Sequence, residues 1–231
     1  MTKKENAPDD LDTVTKNVCD TVESDDDIQA SVRRITLKAL ARGDLDVGGM
    51  RRVAHAVADG ARQGAITHGP DAGKALTKAI SGLDEALAKA AETTKLAIEE
   101  VAGRAGEFSS HDLRRALNDL QGLEALFFET LNQVAKGGAD LTSETMQDLI
   151  KHTQQSGTAV GAQVKQSLEQ LGVTVAEAEK ARLATGAKTI RTTGALLSRI
   201  ASGMLAGVAD SLHPADDADS QSQKKPSTDN D

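Results

Sequence analysis

The chain has 231 residues and a formal net charge of -8, and it contains no Trp, no Tyr and only three Phe. Enzyme clefts and small-molecule sites draw on aromatic side chains and a few convergent polar groups, so this composition argues against an enzyme. The apolar residues are mostly alanine and aliphatic side chains, which suit close helix packing. We therefore expect an all-α, non-enzymatic protein.

The net negative charge of the chain comes mainly from its two ends. Residues 1–27 carry nine acidic residues against three lysines, and residues 214–231 carry five against two. We expect a disordered acidic N-terminus over 1–10 and a disordered tail over 214–231, because neither has an apolar period. Between them we expect short N-terminal helices over 11–68 and a long-helix bundle over 69–213.

Three short apolar stripes predict the N-terminal helices. Apolar residues recur three or four positions apart in each of them, which is the spacing of one helix face. The second predicted helix ends at Arg42-Gly43, and the third covers 47–66. The stripes are Leu11, Val14, Val18 and Val22; Ile28, Val32, Ile35 and Ala39; and Met50, Val53, Val57 and Ala61.

Residues 71–213 contain no proline, so long helices are permitted there. Four segments are predicted, starting near 70, 109, 142 and 174, each roughly 40–55 Å long at 1.5 Å per residue. The third has a gap in its stripe at Gly157 and ends at Gly172. Together they predict an elongated bundle or coiled coil of about four long amphipathic helices.

The first long segment alternates apolar steps of four and three, the pattern of a coiled-coil seam. We interpret this seam as a helix-pairing or self-association site, through Leu76, Ile80, Leu83, Leu87 and Val101. The last segment combines apolar residues with Lys188, Arg191 and Arg199, which suits an apolar interface. A core helix gives the same pattern. Its candidate apolar-surface contacts are Leu197, Ile200, Met204, Leu205 and Val208.

Small residues recur four apart at Gly60/Gly64, Gly157/Gly161 and Gly203/Gly207. Such pairs allow two helix backbones to approach closely. In an alanine-rich chain they predict tight contacts between helices.

No pattern predicts catalysis, cofactor binding or a metal site. Residues 68–75 resemble a phosphate loop, but the glycine spacing is one residue short and Ala75 replaces the metal-binding hydroxyl. The five histidines lack ligand spacing, and Cys19 lies among acidic residues that would raise its thiol pKa. Adjacent acidic pairs such as Asp84/Glu85 point in different directions on a helix and are typical of a solvated face, so no acid–base pair is presented.

The basic stretch 28–68 includes Arg33, Arg34, Arg51 and Arg52, which suggests a test for nucleic-acid binding. No aromatic residue interleaves with these arginines to stack on bases, and the sequence pI is about 5.2. The pattern therefore argues against nucleic acid as a partner. It favours a solvated helix face or docking against the acidic middle of the chain.

A cytoplasmic protein is the expectation from the remaining signals. Cys19 is the single cysteine, so no internal disulfide can form. The start MTKKENAPDD leads into acidic residues, which predicts no secretory signal. No stretch reaches 18 consecutive apolar residues, so the sequence predicts no membrane span. The apolar stretch at 195–212 is interrupted by polar residues and would lie on a surface without crossing it.

The segments KALTKAISGLDEALAKAAETTKLAIEEV and TGAKTIRTTGALLSRIASGMLAG are rich in Ala and Leu and nearly free of aromatic residues. Across 70–212, with polar flanking tails, the chain resembles phasins, the helical proteins that coat bacterial polyhydroxyalkanoate granules, and related bacterial families of unknown function. That resemblance implies granule coating, self-association through coiled coils and no catalysis.

Three functions remain open from the sequence. The first is a phasin-like protein whose helices coat a hydrophobic surface, either a polyester granule or lipid, in the cytoplasm or at a granule or membrane periphery. The second is a soluble coiled-coil structural or adaptor protein that forms homo- or hetero-oligomers. The third is a membrane-acting helical effector. The expected partners are an apolar surface and the protein itself, as a homo-oligomer.

Overall fold

A computed structural model describes residues 8–43, 45–103, 110–137, 140–185 and 195–211. Every element within these residues is helical, which confirms the predicted all-α class. A short 3-10 segment, Ile66–Asp71, precedes the longest helix. The α-helices in chain order are α1 (Pro8–Ser24), α2 (Ile28–Arg42), α3 (Val47–Ala65), α4 (Ala72–Gly103), α5 (Ser110–Gln121), α6 (Leu123–Lys136), α7 (Asp140–Ser156), α8 (Ala159–Thr185) and α9 (Ala195–Ser211).

Local capping residues set the limits of α2 and α3. The Asp27 side chain accepts a hydrogen bond from the N–H of Ala30, and Asp46 accepts one from Gly49 at 2.7 Å. Such caps satisfy backbone donors that a helix start leaves free. Gly43 ends α2, as predicted from Arg42-Gly43. The three N-terminal helices are confirmed, although α1 begins at Pro8, three residues before the predicted stripe.

The long helix α4 confirms the first predicted long segment. Its 32 residues correspond to about 48 Å. The preceding 3-10 segment contains Gly69 at φ 54°, a left-handed conformation that glycine adopts without strain. The phosphate-loop-like stretch is therefore a turn into α4, as its spacing predicted. Lys74 pairs with Asp71 at 2.9 Å.

The later segments differ from the predicted long helices. Gly122 separates α5 from α6, but the hydrogen bonds from its N–H to Asn118 and from the N–H of Leu126 to its carbonyl keep the two almost continuous. The prediction of the third segment as one helix was wrong, because Gly157 adopts φ 87° and divides α7 from α8. α8 also continues past Gly172 to Thr185. Residues 186–194 and 212–231 lie outside the described residues.

One hydrophobic core joins the early and late helices. α4 packs against α2, α3, α8 and α9, while α3 packs against α1 and α6. The core includes Val18 from α1, Leu83 from α4, Phe127 from α6 and Leu205 from α9. The predicted N-terminal region over 11–68 and the bundle over 69–213 therefore contribute to the same core.

The first and third glycine pairs have different environments. A Cβ at Gly60 or Gly64 of α3 would collide with the backbone carbonyls of Thr15 and Cys19 in α1. This confirms the predicted close approach for the first pair. For the third pair the prediction was wrong within the described residues, because a Cβ at Gly203 or Gly207 would meet no atom within 4 Å.

We expect Gly60→Ala to lower the free energy of unfolding by about 1–3 kcal/mol, because the added methyl group forces α1 and α3 apart. The matched control is Gly207→Ala, which adds the same group to an open helix surface. It should raise stability by about 0.5–1 kcal/mol through helix propensity. Urea unfolding followed by circular dichroism measures both, and equal effects of the two substitutions would contradict the packing.

Candidate functional site

The predicted self-association seam lies inside the chain's own core. Leu76, Leu83 and Leu87 are fully buried, and Ile80 is nearly so. The side chain of Val101, near the end of α4, lies outside the described part. The four described side chains are therefore covered by neighbouring helices of the same chain. Pairing through them with a second chain stays a prediction, and it would require these helices to separate.

The predicted surface residues of α9 fall on two rows. Leu205 is buried together with Ala201 and Ala209, four residues apart along one row. The next row, about 100° around the helix, is only partly covered and contains Ile200, Met204 and Val208. We call this second row the α9 strip. The side chain of Leu197 lies outside the described residues.

The α9 strip is one of few places where a large apolar side chain meets solvent. Met204 is 36% exposed, and among the described residues the other large hydrophobic groups that are exposed are Ile66 and Leu96. α9 packs against α2 and α4, and the hydroxyl of Ser202 donates to the carbonyl of Gly43 at 3.1 Å. The buried row, with its two alanines, thus faces the bundle while the strip lies beside it.

A polar junction holds the first turn of α8. Asp84 on α4 accepts hydrogen bonds from the backbone N–H groups of Ala159 (2.7 Å) and Val160 (2.9 Å). Thr158 accepts one from Gly161 and donates one to Glu124 on α6 at 3.0 Å. Helix starts are usually capped by neighbouring residues in the chain. Here the local cap Thr158 is joined by carboxylates from two other helices, and we call Asp84, Glu124 and Thr158 the trans cap.

Burial at the trans cap opposes ionisation of Asp84. Desolvation raises the pKa of the Asp84 carboxyl, and the nearby charges of Glu85 and Glu124 raise it further. The two backbone N–H groups act in the opposite direction. Glu85 itself is bound by Gln29 at 2.6 Å and by Arg33 at 3.1 Å, both on α2. The junction therefore concentrates negative charge where three helices meet.

The basic stretch pairs with the acidic middle of the chain. Arg33 on α2 contacts Glu85 on α4, and Arg51 on α3 contacts Glu129 on α6, each at 3.1 Å. This is the docking that the opposite signs of the two regions favoured. Both pairs are partly exposed, so each contributes on the order of 0–1 kcal/mol and serves mainly to orient neighbouring helices.

Other chemistry-bearing residues have structural surroundings. His68 Nε2 donates to the carbonyl of Val22 near the end of α1, while His55 and His152 are exposed. Burial and a hydrogen bond to Glu23 raise the pKa of the Cys19 thiol, as predicted from its acidic neighbours. In the part of the chain that the structure describes, no three His, Cys, Asp or Glu side chains form a group able to hold a metal ion.

Membrane crossing was also tested against the described helices. None of them combines the length and the hydropathy that a bilayer span requires.

Sequence reasoning did not identify the trans cap. Asp84 was interpreted as half of a solvated acidic pair with Glu85, yet it binds residues 75 and 76 positions away. The gap at Gly157 was the one local signal near this site. It marked the helix break, but it gave no information about which side chains would reach the new helix start.

The trans cap predicts a specific pH dependence. The folded protein retains the Asp84 proton at a pH where the unfolded chain, with its ordinary pKa near 3.8, has lost it. This contribution to the free energy of unfolding is therefore full below the ordinary pKa and lost as the pH rises through the raised pKa of the fold. Asp84→Asn removes the titration. We expect wild type to lose stability relative to this variant as the pH rises from about 4 through the raised pKa of the Asp84 carboxyl, measured by urea unfolding. Parallel pH profiles for the two proteins would contradict it.

A comparison with protein families gives one match. A family model described as a family of unknown function, DUF6781, covers residues 2–214. No curated protein and no solved structure was found to match the chain. The matched range takes in all the described helices. The chain belongs to DUF6781, a family of unknown function.

Proposed function

We propose that this protein is a non-enzymatic, phasin-like helical protein that attaches to an apolar surface, a polyester granule or lipid, through α9. The observation that carries the proposal is the α9 strip, where Ile200, Met204 and Val208 remain partly exposed beside a buried row. The proposal places the protein in the cytoplasm, at the periphery of a granule or membrane.

The sequence of α9 supports this use of the helix. Residues 200–209, IASGMLAGVA, contain no charged residue, so the helix is apolar on more than the face that it buries. Arg199 precedes this stretch and Asp210 follows it, and both are exposed. An apolar helix with polar ends can lie in an interface with its apolar side sunk into the boundary layer.

The size of the strip predicts weak and reversible attachment. Removal of apolar area from water contributes about 25 cal/mol per Å², and the strip consists of three side chains that are already partly covered. If α9 leaves the bundle, its buried row of Ala201, Leu205 and Ala209 adds to the contact. Attachment then becomes stronger, at the cost of the contacts with α2 and α4.

Self-association is a second candidate function, favoured by a different feature of the same helix. Gly203 and Gly207 lie on an open face of α9, with the same spacing that brings α3 and α1 together at Gly60 and Gly64. A helix from a second chain fits such a surface. The protein would then be a soluble homo-oligomer or an adaptor.

We expect the double variant Met204→Glu, Val208→Glu to abolish co-sedimentation with polyester particles or lipid vesicles, because each carboxylate would have to be desolvated at the surface. The matched control is Leu96→Glu, which changes another exposed apolar residue, on α4, that is 42% exposed. Circular dichroism checks that both variants keep the fold. Equal binding by the two variants would contradict attachment through α9.

Light scattering separates the two candidates. Self-association predicts a stable oligomer that does not bind apolar particles and that dissociates when Gly207→Leu fills the open face. Surface attachment predicts that the same substitution leaves the oligomeric state unchanged, and that the added apolar area maintains or strengthens particle binding. A monomer that binds neither particles nor vesicles would contradict both.

A further inference from the structure

We propose that Asp84 and Glu124 form a latch on the first turn of α8, and that release of this latch lets the start of α8 move away from α4 and turn its apolar row toward an apolar surface. The inference rests on the proposed function and adds its regulation. The latch is the trans cap already described, acting between three helices that are distant in sequence.

The connection before α8 permits such a movement. α7 and α8 are joined by Gly157 and Thr158 alone, and Gly157 holds φ 87°, where a side chain would be strained. The two helices also have different main partners, because α7 packs chiefly against α6 and α8 chiefly against α4. The start of α8 is therefore fixed by the latch and by its packing on α4, with little help from the helix that precedes it.

The row that α8 buries is apolar but interrupted. Val160, Val164 and Leu171 are buried, and Ser167 is fully buried among them, with Gln163 of the same helix as its hydrogen-bond donor. Buried polar groups reduce the free energy gained by burying the surrounding apolar area. Local opening is therefore less costly here than in a core of leucine alone.

Like charges keep the latch from being tight. Asp84 is acted on by Glu85 of its own helix and by Glu124 of α6, while the α8 side offers the backbone N–H groups of Ala159 and Val160. Arg33 and Gln29 of α2 bind Glu85, so the positive charge at this junction is directed at that residue. Ionisation of Asp84 therefore adds repulsion to the closed junction, and its protonation relieves that repulsion.

Amide hydrogen exchange tests the latch without any surface. We expect Asp84→Ala to reduce protection of the amides at 159–164 by about 5- to 30-fold, the effect of one to two kcal/mol on a local opening. The matched control is Asp46→Ala, which removes a cap that lies next to its own helix, α3. It should leave 159–164 at wild-type protection. Equal loss of protection throughout the molecule in both variants would overturn the proposal.

A second variant separates the latch from helix propensity. A Cβ at Gly161 would collide with the carboxylate of Glu124, so Gly161→Ala must displace that carboxylate from Thr158, although alanine favours the helix. The control is Gly172→Ala in the same helix, where a Cβ meets no atom within 4 Å. We expect lower protection at 159–164 in the first variant and unchanged or higher protection in the second. The opposite order would overturn the latch.

A binding experiment tests the same full-length proteins with polyester particles and lipid vesicles. Asp84→Ala should bind at least as well as wild type at particle concentrations where wild type is half bound, because less free energy is needed to open α8. Increased exchange at 159–164 without binding to either surface would support the latch and contradict the proposed function. Binding with unchanged exchange would support the function and overturn the latch.

Discussion

Burial of α4 on several sides is the packing on which the rest of the molecule depends. α2, α3, α8 and α9 all pack against it, and its buried positions alternate leucine or isoleucine with alanine. Because alanine is small, neighbouring helices approach closely. A Cβ at Gly82 would collide with the carbonyl of Gln29, which shows that α2 lies directly on α4 at this point. A single core therefore forms with almost no aromatic residues.

Packing of this kind does little to select which helix faces meet, since one alanine-rich face resembles another. Polar contacts between helices make that selection. The pairs Arg33–Glu85 and Arg51–Glu129 fix α2 on α4 and α3 on α6, and the trans cap fixes the start of α8. Each of the two ion pairs is worth little in free energy, because both are partly exposed. Wrong registers would leave these charges unpaired, so their main effect is to select one arrangement of helices over its competitors.

The closed bundle hides most of the apolar residues that an apolar surface would bind. Among the described residues α9 leaves part of an apolar row uncovered. The start of α8 buries Val160 and Val164, and it is there that we propose that further apolar area can be released. α9 is apolar on more than one side, and its second row is only partly covered. The start of α8 follows a glycine break and is held by carboxylates that repel one another. In surface attachment, α9 would make the contact and the start of α8 would extend it.

The sequence by itself determined the helical class, the end of α2, the limits of α3, the approximate start of α4 and the close approach at Gly60 and Gly64. These features follow from local rules, because capping, helix periodicity and backbone freedom act within a few residues. Tertiary structure decided which helices cover the seam of α4, why Gly203 and Gly207 face open space, and how Asp84 reaches Ala159. An amphipathic stripe specifies that a face is buried, but its partner depends on the simultaneous packing of all the helices, and no spacing along the chain encodes that.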